Sequence, residues 1–162
     1  MTEKDFPLAA LLLAQDVVSS DSYDVDEMAS IAHELGASPI VVALAAGAEP
    51  PSGVRVARTK PRGSAITAIR LGMAQLTNST ARVVLLWPHA GMQPPLVAML
   101  ALLDEAKRSR DAIVAFDGAS LDASPLLIPR DAWLELVTLG EEGLDGLAAR
   151  RTVVRAESPI EP

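Results

Sequence analysis

The stretch Arg82-Val83-Val84-Leu85-Leu86-Trp87-Pro88-His89 reads as a buried strand that runs out into a loop. In an open α/β sheet the carboxyl end of such a strand is where ligand chemistry usually sits. Many nucleotide-handling folds place an aspartate there to hold a divalent cation. This chain has Trp87, Pro88 and His89 instead, and no acid follows until Asp104. His89 could ligate a metal or move a proton, but a lone loop histidine is ordinarily a polar surface residue. Trp87 could stack on a base, but one tryptophan at a strand end ordinarily packs over the sheet.

The second candidate chemistry is anion binding. Lys60, Arg62, Gly63 and Ser64 put two cations beside the start of a helix, where free backbone N–H groups favour negative charge. The plain alternative is a Ser64 helix cap flanked by solvated charges. Asp16, Asp21 and Asp24 could hold a cation, although an Asp/Ser-rich stretch is by default a loop. By the same standard Asp117-Gly118 is a turn, Glu157 a solvated acid near the C-terminus, and His33 an ordinary helix residue. No Ser-His-Asp set or carboxylate pair stands out.

The elements that must position these residues are strands alternating with helices. Leu8–Ala14 is a continuous apolar run, as expected of a strand buried on both faces. Val17–Tyr23 is a polar loop. Asp24 or Asp26 is placed to cap a helix carrying Met28, Ile31, Ala32 and Leu35, which Gly36 stops. Strands are expected at Pro39–Leu44 and Val54–Ala57. A helix with Ile66, Ile69, Met73 and Leu76 on one face should open at Ser64 and end by Asn78-Ser79. The strand Val83–Leu86 leads to a helix from Pro94-Pro95 to Lys107 with Leu96, Met99, Leu100 and Leu103 facing inward. Strands at Ala112–Phe116 and Leu126–Ile128 follow, then a helix capped by Asp131, a helix from Glu141 to Arg151, and a strand at Thr152–Arg155. This alternation predicts an α/β fold, a three-layer, doubly wound and mostly parallel sheet of Rossmann-like type, in one compact domain over 1–162.

Composition narrows the partners. The chain has 162 residues, 49% apolar but only 3% aromatic, so the core must be built from Ala, Val, Leu and Ile. A net charge of −7 argues against nucleic acid or an anionic membrane surface, but not against a small anion met by a local positive site. Without cysteine there is no thiolate nucleophile, no disulfide and no Cys-ligated zinc. The apolar run near the N-terminus is too short to span a bilayer, so a cytoplasmic protein is expected. The Leu/Ala-rich helices leave room for an oligomer.

In order and in partial motifs these elements resemble the nucleotidyltransferase fold of the molybdenum-cofactor guanylyl- and cytidylyltransferase type (nucleotide-diphospho-sugar transferase-like). Leu11-Leu12-Leu13-Ala14-Gln15 is similar to the first strand and the start of the family's Leu-Ala-Ala-Gly signature. Lys60-Pro61-Arg62-Gly63-Ser64 is similar to the segment that helps hold the nucleotide base. Val83–Leu86 corresponds to the strand that ends in Gly-Asp-x-Pro, whose Asp binds magnesium. Asp117-Gly118 with Ser124-Pro125 resembles the acceptor side, and Leu139–Leu147 the family's Leu-x-Gly-Asp-x-Gly-x-x-x-Leu segment. Glu157, in Glu-Ser-Pro-Ile-Glu, resembles a terminal acid that supplies a second metal contact. The resemblance thus implies nucleotide contacts at Ala14, Gln15, Lys60, Arg62, Gly63 and Ser64, and acceptor contacts at Asp117, Gly118, Ser124 and Pro125.

The departures carry more weight than the matches. The family's first loop supplies glycines for phosphate approach and Arg and Lys for the leaving pyrophosphate. Here Gln15–Asp24 has no Gly, Arg or Lys and three acids, which would repel a triphosphate. The metal aspartate is replaced in the same chain by the Trp87-Pro88-His89 sequence. Nucleotidyl transfer depends on positioning and on charge neutralisation by magnesium and cations, so two such losses point to a non-catalytic relative that binds a nucleotide-like ligand or a protein. The alternative is an active transferase with an atypical site using Lys60, Arg62, Asp16 and Glu157, in which case NTP and magnesium are implied. A third reading is a receiver-like signalling module, from the Leu85-Leu86-Trp87-Pro88-His89-Ala90-Gly91-Met92 strand and loop. It requires five parallel strands only.

Overall fold

The computed structural model describes residues 7–14, 22–45, 50–60, 64–88, 94–118, 121, 124–140 and 143–156, with the side chains of 22–24 excepted. Its strands are β1 (Leu8–Ala14), β2 (Ile40–Ala45), β3 (Arg55–Thr59), β4 (Val83–Trp87), β5 (Ile113–Phe116), β6 (Leu126–Pro129) and β7 (Val153–Ala156). The helices are α1 (Ser22–Glu34), α2 (Ala65–Ala74), α3 (Leu96–Arg108), α4 (Trp133–Val137) and α5 (Leu144–Arg150). All seven strands form one sheet in the order β3-β2-β1-β4-β6-β5-β7. Every pairing is parallel except those of β6, which runs antiparallel to β4 and to β5. The expected doubly wound, mostly parallel α/β sheet is therefore present. The antiparallel β6 inside it sets the fold apart from a five-stranded receiver.

Alternation along the central strand sorts the core into two layers. Leu8, Ala10, Leu12 and Ala14 of β1 face α1 and α3, together with Met28, Ala32, Met99 and Leu102. Ala9, Leu11 and Leu13 face α2, α4 and α5, together with Ile69, Met73, Leu136 and Leu147. All seven residues of β1 are buried, as its unbroken apolar run requires of a strand covered on both faces. On the second face α2 lies so close to β1 that a Cβ at Gly72 would collide with the Leu11 side chain. Only the missing side chain permits that approach.

Several local expectations are corrected. The helix α1 begins at Ser22, so Asp24 and Asp26 lie inside it and do not precede it. The second helix ends at Ala74 with Gln75 as its cap, ahead of Asn78 and Ser79, and Leu76 is buried just beyond it. Leu100 does not face inward: it is 43% exposed. The buried positions of α3 are Met99, Leu102, Leu103 and Ala106, and Leu100 sits a further 100° round from Met99, on the outer flank. Asp131 caps no helix. It lies in a 3₁₀ turn, Arg130–Ala132, and pairs with Arg151 at 3.2 Å, while α4 starts from Ala132 without a side-chain cap. The described part of the last helix is Leu144–Arg150, and Glu141 lies outside the described residues. No helix among the described residues is long and apolar enough to cross a membrane.

The Gly72 contact predicts that Gly72→Val destabilises the chain by about 3 kcal/mol, the range for side chains forced into a filled core. Urea unfolding should show a lower midpoint at unchanged slope. Gly118→Asn, in an exposed turn at φ 76° with nothing near its Cβ position, should cost far less.

Candidate functional site

Strand order reverses at β1: the chain goes outward to β2 and β3, then returns to place β4 on the other side of β1. The crevice beyond the carboxyl ends of β1 and β4 is therefore the topological switch point, where open α/β sheets bind ligands. A cavity of about 280 Å³ lies there. It is lined by Leu13 at the end of β1, Pro88 after β4, Ser64, Ala65, Ile66 and Ile69 of α2, and Leu139, Gly143 and Leu144 ahead of and within α5. The walls are almost wholly apolar, and Ser64 carries the one side-chain hydroxyl among them.

Ser64 is fully engaged in helix capping. Its Oγ accepts from the Thr67 backbone N–H at 3.1 Å and donates to Thr67 Oγ1 at 2.9 Å. The cap fixes the first turn of α2 against the cavity, and Gly72, further along, holds the same helix to β1. At the other wall Gly143 adopts φ 62°, a left-handed conformation that favours glycine, and so turns the chain into α5. Arg70 ties the two walls together: its Nε and Nη2 donate to the carbonyls of Val137 and Leu139, both at 3.0 Å.

Of the candidate site residues read from the sequence, Ser64 and Pro88 line this cavity, as do Leu13, Leu139, Gly143 and Leu144 of the two family-like segments. Ala14 ends β1 but faces the α1/α3 layer, while its neighbour Leu13 faces the cavity. Trp87 is fully buried in that same opposite layer, as a core residue and not as an exposed stacking platform. Lys60 follows β3 and is exposed, away from the cavity lining. Asp117 and Gly118 form an exposed turn after β5, with the Asp117 N–H donating to the Ala156 carbonyl at 2.7 Å. Two strand spacings separate β5 from β4, which is about 10 Å. Ser124 and Pro125 are buried where β6 begins, next to the carboxyl ends of β4 and β5. Gln15, Arg62, Gly63, His89 and Glu157 lie outside the described residues, as do Asp16 and Asp21.

The structure adds residues that the sequence did not single out. Ile69 reads from sequence as an apolar helix-face residue, because a cavity wall uses the same residue types as a core. Thr59, the last residue of β3, is buried, and its Oγ1 has no hydrogen-bond partner among the described residues. Ser124 Oγ is in the same condition. Both hydroxyls stand at the carboxyl edge of the sheet, one on each side of the switch point. An unpaired buried polar group costs about 1–3 kcal/mol.

Magnesium asks for oxygen ligands in near-octahedral array. The described cavity walls offer one side-chain oxygen, the Ser64 hydroxyl, already committed to Thr67, and no cluster of three His, Asp or Glu occurs among the described residues. The described donor set does not fit that ion.

No protein-family model matches the chain, and no curated protein does. Solved structures match it over nearly its full length. The manganese complex of Rv0371c from Mycobacterium tuberculosis H37Rv is 19% identical, with a TM-score of 0.72 over 94% of this chain and 88% of that one. Its homologue from Mycobacterium sp. strain JC1 is 16% identical, with a TM-score of 0.69 over 93% of this chain and 85% of that one. The 2-C-methyl-D-erythritol 4-phosphate cytidylyltransferase from Thermus thermophilus is 16% identical, with a TM-score of 0.56 over 95% and 91%. The fold is nucleotidyltransferase-like.

The cavity wall contributed by α5 is braced by Arg151, whose Nε and Nη2 donate to Glu135 Oε1 at 3.0 and 2.7 Å. Hydrogen bonding from Arg151, with its positive charge, holds the Glu135 carboxyl below the usual carboxylate range against a smaller opposing effect of desolvation. A depressed folded-state pKa means the pair stabilises fully above the unfolded value and loses that contribution as pH falls through the folded one. Glu135→Gln should therefore lower Tm at pH 7, with the gap to wild type closing as pH drops below about 4. Thermal melts across that range check it.

Proposed function

We propose that this chain is a non-catalytic relative of the nucleotidyltransferases that binds a nucleotide-like small molecule at the β1/β4 switch point. The observation that carries the reading is the cavity there: apolar walls from β1, α2 and α5, with the capped start of α2 on its rim. At about 280 Å³ it lies near the lower limit of small-molecule pockets, a size suited to a flat ring. Its described walls suit the apolar faces of a base, and none of them carries a charge for a triphosphate. The helix start favours an anionic group just outside the cavity.

Catalysis would need more than this. A transferase must neutralise a leaving pyrophosphate and position an acceptor, which calls for cations and a metal at the same edge. The buried Trp87 at the end of β4 supports a site where those parts are no longer assembled. The rival reading, an active transferase with an atypical metal, draws support from the manganese complex of Rv0371c and from the cytidylyltransferase likeness. A molybdopterin or a sugar phosphate would then be the acceptor.

Thermal melts with each NTP, with and without manganese or magnesium, test the binding. At a hundred times Kd a ligand stabilises by about 2.7 kcal/mol, which is a rise in Tm of roughly 5–10 °C for a chain of this length. Ile66→Trp, which fills the cavity, should abolish the rise. Pyrophosphate release with a molybdopterin or sugar phosphate acceptor should stay at background. Release above background would replace this reading with the active transferase, and no shift with any nucleotide would remove both.

A further inference from the structure

A second and larger cavity, about 610 Å³, opens at the opposite edge of the sheet. Its position follows from the one reversed strand. Because β6 runs against β4 and β5, its carboxyl end emerges between their amino ends: Val83 pairs with Pro129, and the Arg130 N–H donates to the Arg82 carbonyl at 2.8 Å. Three arginines far apart in sequence therefore line one cavity, Arg82 before β4, Arg110 in the turn before β5, and Arg130 after β6. Asp111 and Asp131 complete its charged lining.

These arginines are not equivalent. Arg130 is rigidly held: Nη1 donates to the carbonyls of Ser79 and Ala81, both at 2.7 Å, and Nη2 to that of Thr77 at 2.8 Å. Its guanidinium also lies 4.7 Å from the centre of the Trp133 ring, whose own Nε1 donates to the Ile128 carbonyl at 3.1 Å. Such anchoring fixes a positive charge in place before any ligand arrives, which lowers the ordering cost of binding. The Arg82 guanidinium is exposed and has no hydrogen-bond or ion-pair partner among the described residues. On a chain of net charge −7, acids are plentiful, yet the described ones leave this arginine unpaired.

We infer that this amino-edge cavity is a binding site for a small phosphate monoester bearing hydroxyl groups. Arginine's planar donor set matches phosphate oxygens, and more than one arginine suits a dianion. Asp111 is an acceptor for the ligand's hydroxyls, a role it could not play toward phosphate itself. The cavity volume falls in the middle of the range for small-molecule sites. The overall negative charge selects a small anion over a nucleic-acid backbone.

Isothermal titration of the full chain with ribose 5-phosphate as the probe tests this directly. Wild type should bind, Arg82→Gln should weaken binding at least tenfold, and Arg82→Gln with Arg110→Gln should abolish it. The circular dichroism melt of Arg82→Gln should stay near wild type, since Arg82 is exposed and its removal does not touch the core. Asp111→Asn should weaken ribose 5-phosphate more than inorganic phosphate. Ile66→Trp, at the other edge, should leave the titration unchanged, which separates this site from the switch-point cavity. Absence of binding by wild type, or equal affinity in wild type and Arg82→Gln, would overturn the inference. Loss of binding in Ile66→Trp would also overturn it, by placing the ligand at the carboxyl edge.

Discussion

The close contact of α2 with β1 at Gly72 is the constraint on which the site geometry depends. β1 lies between β2 and β4 at the point where strand order reverses, and it is buried throughout. A helix that rests on Leu11 without a side chain between them can sit lower over the sheet than one that must clear a Cβ. That height determines where the first turn of α2 projects past the end of β1. The Ser64 cap, the Ala65 and Ile66 wall and the cavity itself follow from it. A bulkier residue at position 72 would lift the helix and open the layer, so a packing detail near the middle of the chain governs the shape of a crevice at the edge.

Much of the scaffold was legible in the sequence because burial on both faces leaves an unmistakable pattern. The runs at Leu8–Ala14 and Val83–Trp87 have no polar residue to place on a solvent face, and both are central strands. Helix faces were legible where the apolar spacing was strict, as with Ile69 and Met73, and were misread at Leu100, where a leucine-rich helix offers more apolar residues than one face can bury. Strand direction was not legible. Nothing in Leu126–Pro129 distinguishes an antiparallel strand from a parallel one, because direction is decided by the connection and by the neighbours, not by periodicity.

The same limit explains what was missed at the two edges. Ser64 could be anticipated at the switch point because a helix cap has a sequence signature. Ile66 and Ile69 could not, since whether an apolar side chain faces a neighbour or a cavity depends on where two helices end. Arg82, Arg110 and Arg130 lie far apart in the chain and carry no spacing that would group them. Only the reversal of β6 brings their strand ends together, and that reversal was the one topological feature without a local signal.

The reversed strand also divides the labour of the sheet. In a wholly parallel sheet all carboxyl ends lie at one edge, and the opposite edge is left with amino ends and helix C-termini, whose carbonyls repel anions. Inserting β6 places one carboxyl end at that opposite edge, and with it Arg130 and the carbonyls it neutralises at Thr77, Ser79 and Ala81. Three backbone oxygens that would have set a negative potential there are capped by one guanidinium. The edge thereby becomes tolerant of an anion, while the switch-point edge, walled by leucine and isoleucine, becomes suited to an apolar ring. The two cavities differ in chemistry because one strand out of seven points the other way.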